Sequence, residues 1–140
     1  MKTLYTAEAL ATGDGRNGHA RTTDGKVDVA LSVPSEMGGN GEGTNPEQLF
    51  AAGYAACFHS ALRLVGKQDG ANIDDSAVGA KVGIGPNDAG GFQLAVTLEV
   101  SLPHLTRDEA QTLADKAHQV CPYSNATRGN IDVEVLVAED

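Results

Sequence analysis

The sequence predicts an α+β domain with antiparallel sheets, and three observations carry that prediction. Phe92, Leu94, Val96, Leu98, Val100 and Leu102 keep strict period two, the signature of a half-buried strand. Thr44 to Val65 is a long, mostly apolar run with helix punctuation at its start. A second helix begins at Thr106, where Glu109 stands three residues on in capping-box position. The chain has 140 residues, read as one domain over 1–140 that is large enough to bury a core.

In chain order, Leu4 to Thr12 is compatible with a strand. Gly13-Asp14-Gly15-Arg16-Asn17-Gly18 matches G-x-G-x-x-G, but no helix follows as a dinucleotide site requires, so its glycines predict a tight turn that presents Arg16. His19 to Val33 reads as two extended segments around Asp24-Gly25, with Val27, Val29, Leu31 and Val33 on one face of the second. Gly38 to Gly43 is a glycine-rich loop without the Gly-Lys-Ser/Thr ending of a phosphate loop.

Asn45 is the expected N-cap of the long helix, Pro46 suits its first position, and Glu47 meets the positive end of the helix dipole. From Leu49 to Leu64 apolar side chains fall on nearly every face, which predicts enclosure on all sides. Twenty residues span roughly 30 Å, enough to cross a small domain. Arg63 and His59 within the run favour a buried helix over a membrane span. Ser76 to Ile84 and Phe92 to Leu102 form a hairpin around the turn at 85–91. Pro122 limits the second helix, and Ile131, Val133, Val135 and Val137 alternate through a last strand.

A net charge of -9, with ten Lys plus Arg, argues against a nucleic-acid surface. The N-terminus shows no basic segment followed by an apolar stretch, so a cytoplasmic protein is expected. The histidines at 19, 59, 104 and 118 and the two cysteines lie far apart, without metal-ligand spacing, so no metal or cofactor is expected. Cys57 and His59, two apart on a helix, point about 200° away from each other and make a poor nucleophile and base pair. Taken alone, either cysteine reads as a small buried hydrophobe or as a reactive thiol.

The text around each cysteine changes that balance. Tyr5 to Gly13, the Gly43-Thr44-Asn45-Pro46-Glu47-Gln48-Leu49-Phe50-Ala51-Ala52-Gly53-Tyr54 block and the Cys121-Pro122-Tyr123-Ser124-Asn125-Ala126-Thr127-Arg128-Gly129-Asn130 block carry a resemblance to a known family that runs over nearly the whole chain. The sequence resembles the Ohr subgroup of the OsmC/Ohr superfamily, the organic hydroperoxide resistance proteins. The resemblance implies an intertwined homodimer and a cofactor-free cysteine peroxidase acting on organic hydroperoxides. By position it makes Cys57 the peroxidatic cysteine, Cys121 the resolving one, and Arg16 and Glu47 the charged pair beside the reactive sulfur. The implied reductant is a dihydrolipoyl group, as dihydrolipoamide or on a lipoylated protein. Phe50 and Phe58 are candidates to receive the alkyl or fatty acyl part of the substrate. A sister OsmC-type peroxidase and a non-catalytic dimeric binder of small hydrophobic ligands are the alternatives.

The chemistry explains why such a site needs a cation. An ordinary thiol is only about 3% thiolate at neutral pH, and burial lowers that further. Arg16 stays protonated, and its planar fork can serve a sulfur and a carboxylate at once. Glu47 and Cys57 are ten residues apart, about 15 Å along a straight helix and roughly 80° around it. Two such helices crossing antiparallel near Ala52 and Gly53 would bring Glu47 of one to the level of Cys57 of the other, so the expected site is completed across a dimer.

Overall fold

The computed structural model describes residues 1–138. The chain divides into two compact units, Met1–Leu49 and Phe50–Asp140.

The first unit is built on a three-stranded antiparallel sheet of β1 (Ala9–Thr12), β2 (His19–Thr22) and β3 (Asp28–Ala30) in that order. The glycine run between β1 and β2 closes through a single 3-10 turn, Gly15–Asn17. Gly18 has to be glycine there, because a Cβ would stand 2.1 Å from the carbonyl oxygen of Thr12. At the next turn Asp24 Oδ1 accepts from the Thr22 hydroxyl and the Lys26 N–H, and Gly25 adopts a φ of 75°. The second extended segment is shorter than the alternation of valines predicts. Ser32 N–H donates to Thr44 and Thr44 N–H to Ala30, so Leu31 pairs with Thr44 as an isolated parallel bridge and the strand ends before Val33. Leu4 and Tyr5, read as part of β1, are exposed and outside the sheet.

Helix α1 runs Pro46–Gln68. Asn45 Oδ1 caps it by accepting from Gln48 N–H at 2.9 Å. Tyr54, Phe58, Ala61, Leu62, Val65 and Gly66 are its buried residues, a one-sided stripe at helical spacing. Within the single chain the burial is one-sided, and Ala52, Ala56, Ser60 and Leu64 are exposed. By length and composition alone α1 could cross a membrane, yet its buried stripe is part of a folded protein core.

In the second unit β4 (Ala77–Pro86) and β5 (Phe92–Ser101) form the expected hairpin, in register from Ala77↔Ser101 to Pro86↔Phe92. Asn87 closes its turn, accepting from the N–H groups of Ala89 and Gly91. Helix α2 (Arg107–Val120) opens on a complete capping box between Thr106 and Glu109. A short helix α3 (Pro122–Thr127) follows, and β6 (Val133–Val137) ends the sheet. Beta-6 lies parallel to β5, Val96↔Val133 to Val100↔Val137, which corrects the prediction of antiparallel sheets throughout. The physical reason is the α2–α3 connection, long enough to carry the chain back to the start of the sheet so that β6 enters in the direction of β5. Val96, Leu98 and Val100 of β5, with Ala110, Leu113, Ala114 and Ala117 of α2, join the α1 stripe in one core.

Candidate active site

Cys57 is half-buried on α1, and Cys121 is fully buried at the junction of α2 and α3. Both thiols are free, and the Cys121 S–H donates to Cys57 Sγ at 3.7 Å. A covalent S–S bond is about 2.05 Å, so closure requires roughly 1.7 Å of approach. Burial is the largest influence on Cys57 and pushes its pKa up, while the backbone N–H of Tyr123 donates to the sulfur and pulls it down. Cys121 adds a further upward push. Among the described residues of Phe50–Asp140, none of the groups acting on this thiol is a cation.

Cys121 is held from both sides. It is the C-cap of α2 and the N-cap of α3, extended at φ -60° and ψ 124°, as a residue before proline must be. Its N–H donates to Ala117, and its carbonyl accepts from Asn125 N–H. Arg128 clamps the same corner, donating from Nη1 to the His118 carbonyl at 2.8 Å and from Nη2 to Asn125 Oδ1. Beneath the thiols lies a buried polar cluster. The Tyr54 hydroxyl bonds Ser124 Oγ at 2.8 Å and Thr127 Oγ1 at 3.0 Å, and Ser124 Oγ also bonds His118 Nδ1 at 2.7 Å. Burial, the largest cause, and the nearby Arg128 charge hold the His118 pKa below the ordinary histidine range, partly opposed by Asp115.

In the first unit, the turn carrying Arg16 and the start of α1 meet in a bidentate ion pair. Arg16 Nη1 and Nη2 donate to the two Glu47 oxygens, each at 2.7 Å. The Arg16 hydrogen bond holds the Glu47 carboxyl below the usual range, and Glu47 raises the guanidinium pKa in turn. The Arg16 side chain remains 34% exposed, so donors beyond the two engaged by Glu47 can meet an anion.

Phe50 and Phe58 stand in different settings. Phe50 is partly buried, packing edge-on to Tyr54 with ring centroids 6.0 Å apart and against Tyr123 at 5.9 Å. Phe58 is wholly buried, its ring against that of His118. His59 bonds Ser76 at 2.9 Å, and the other three histidines have separate partners in Asp28, Asp75 and Ser124. Among the described residues, no group of three or more His, Cys, Asp or Glu could hold a metal ion. The residues that sequence reasoning missed are Tyr54, Tyr123, Ser124, Thr127 and His118. All but His118 lie in the sequence blocks around the cysteines, yet nothing in their spacing says that three hydroxyls converge.

Comparison with known proteins adds the family. A family model for OsmC-like proteins matches residues 39–136. The chain is 55% identical over 139 residues to the organic hydroperoxide resistance protein of Xanthomonas axonopodis pv. citri, covering 98% of this chain and 96% of that one. It is 46% identical to organic hydroperoxide resistance protein OhrB of Bacillus subtilis, covering 94% and 96%. A crystal structure of an organic hydroperoxide resistance protein from Elizabethkingia anophelis, solved with crystallant-derived thiocyanate bound, superposes with a TM-score of 0.94 at 53% identity over the full length of both chains. Such likeness, with two reduced thiols in contact, makes this chain a cysteine-based peroxidase. It belongs to the OsmC/Ohr superfamily, where it closely matches the organic hydroperoxide resistance proteins.

Proposed function

We propose that the protein reduces organic hydroperoxides to alcohols, with Cys57 as nucleophile and Cys121 as resolving thiol. The Cys57 thiolate attacks the distal peroxide oxygen, the O–O bond breaks, and the alkoxide leaves as alcohol after taking up a proton. Cys57 is then a sulfenic acid. Cys121 condenses with it, an S–S bond replaces the S–O bond, and water leaves. A dihydrolipoyl dithiol, free or on a lipoylated protein, returns the disulfide to two thiols by exchange and is itself oxidised. The observation that carries this reading is the 3.7 Å contact between two reduced thiols, one half-buried and reachable and one enclosed.

Arg16 is the cation that the reactive sulfur lacks among its own unit's groups, and Glu47 orients it. Lowering a thiol pKa by about three units takes roughly 4 kcal/mol of differential stabilisation, within reach of a poorly solvated guanidinium contact. The two units act as one peroxidase domain in a cytoplasmic homodimer, and the Arg16–Glu47 pair of one protomer serves Cys57 of the other. Phe50 receives the alkyl group of the substrate, and Phe58 backs the wall behind the sulfur.

Turnover with an alkyl hydroperoxide and dihydrolipoamide tests the reading. C57S should lose all turnover, whereas C121S should complete one oxidation and fail to recycle. Full turnover by C57S would overturn the mechanism, and equal recycling by thioredoxin would overturn the choice of reductant.

A further inference from the structure

The polar cluster beneath the thiols repeats their geometry one turn away. Tyr54 precedes Cys57 by three residues on α1, and Ser124 follows Cys121 by three residues across the start of α3. On a helix, residues three apart share a face. The Cys57–Cys121 contact at 3.7 Å and the Tyr54–Ser124 bond at 2.8 Å are thus two neighbouring rungs between the same pair of elements. Thr127 adds a second bond to the Tyr54 hydroxyl at 3.0 Å. Tyr54, Ser124 and Cys121 are each 0% exposed, which removes these groups from bulk solvent.

His118 ties the third element to the same point. It lies three residues before Cys121 on α2, and its Nδ1 meets Ser124 Oγ at 2.7 Å. The hydroxyls remain partnered whichever way the protons run. With Nδ1 as acceptor, Ser124 donates to His118, Tyr54 to Ser124 and Thr127 to Tyr54. With Nδ1 protonated the order reverses, and Thr127 donates to the Ser124 carbonyl, an acceptor it reaches at 3.3 Å. Asp115 and Arg128 are the charged groups that act on His118, and Phe58 packs on its ring from α1. The cluster therefore stays closed across His118 titration.

We infer that Tyr54, Ser124 and Thr127 are positioning residues for the resolving step, a hydroxyl strut that fixes Cys121 over Cys57. The inference rests on the functional reading above. A sulfenic acid at Cys57 has two fates. Attack by Cys121 forms the S–S bond, and the sulfenic oxygen leaves as water with the Cys121 proton. Attack on a second hydroperoxide gives the sulfinic acid and an alcohol, and the thiol is lost. The first route is intramolecular and depends on alignment; the second does not. The strut therefore sets the ratio of disulfide to sulfinic acid and leaves the first oxidation of Cys57 nearly untouched.

The experiment is a graded hydroperoxide titration of the reduced full chain, with disulfide and sulfinic acid at Cys57 quantified by peptide mass spectrometry. Y54F keeps the ring and deletes only the hydroxyl, and T127V keeps the shape of threonine without its donor. Each should raise the sulfinic-to-disulfide ratio by about tenfold, with the second-order rate of Cys57 oxidation changed less than about twofold. T127S, which restores the hydroxyl, should return the ratio to that of the wild type. Circular dichroism and an unchanged melting profile of each variant under the titration conditions show that the ratio is read from folded protein, since unfolded chains would themselves favour sulfinic acid. An unchanged ratio in both Y54F and T127V, or a failure of T127S to restore it, overturns the strut. If the wild type itself forms no Cys57–Cys121 disulfide, the functional reading fails first, which separates the two outcomes.

Discussion

At the residue scale the decisive contrast is between a sulfur that is placed and one that is activated. Burial raises the Cys57 pKa, and one backbone N–H opposes it. In the proposed mechanism a guanidinium supplied by Arg16 reverses that balance, so that the thiol reacts at neutral pH. R16A should therefore lower the alkylation rate of Cys57 at pH 7 by about 100-fold and carry its titration above the ordinary thiol range. R16K should recover little, because an ammonium cannot hold both Glu47 oxygens while facing a sulfur. A rate profile in a C121S background checks both variants without interference from the second thiol. The pair also has a pH signature. Glu47 has a lowered pKa in the folded chain, so its contribution to stability is complete above the ordinary glutamate range and is lost as pH falls through the lowered value. Acid unfolding of E47Q should show a shallower slope in that window than the wild type. Arg16, Glu47, Cys57 and Cys121 are singled out by the family resemblance, and the structure pairs Arg16 with Glu47 and Cys57 with Cys121. Tyr54, Ser124 and Thr127 were not legible in the sequence, because a hydroxyl in an apolar helix or after a proline reads as ordinary until its partner 70 or 73 residues away is known.

At the scale of elements, local chemistry was read correctly where it is self-contained. The Asn45 cap, the Thr106–Glu109 box and the hairpin turn at 87–91 are each decided by neighbours within a few residues. The misses are places where distant chain decides. The direction of β6 follows from the path of α2 and α3, and the second helix of that path was hidden because Pro122 was read as an end and is also the first residue of α3. A close approach at Gly66 was likewise invisible. A Cβ there would stand 2.4 Å from Ile73 Cγ2 and 3.3 Å from Leu113 Cδ2, so α1, the 71–73 segment and α2 meet through the absence of a side chain. Gly66→Ala should destabilise by about 1–3 kcal/mol through overpacking, offset by less than about 1 kcal/mol of helix propensity. Urea unfolding with an unchanged m-value is the check. No loss of stability would mean that the loop yields freely.

For the whole molecule, the proposed homodimer bears on the apolar side chains that the single chain leaves exposed. Leu10 and Phe92 are 68% and 71% exposed, and Leu64 stands at 49% on the open face of α1 with Ala52, Ala56 and Ser60. In the proposed homodimer that face of α1 would be covered, its small residues letting two helices approach closely. Mixed dimers of R16A and C57S give a sharp test of shared sites. If Arg16 serves the partner's Cys57, the mixed species contains one complete site and regains about half of wild-type turnover, although both parents are inactive. If each protomer is self-sufficient, the mixture stays inactive. The claim on which all three scales depend is that Cys57 and Cys121 are one redox couple. One equivalent of an alkyl hydroperoxide added to the reduced protein, followed by peptide mapping under trapping conditions, tests it most directly. The account predicts a single Cys57–Cys121 disulfide and one equivalent of alcohol; unreacted thiols, or a Cys57 sulfenic acid that persists beside a free Cys121, would contradict it.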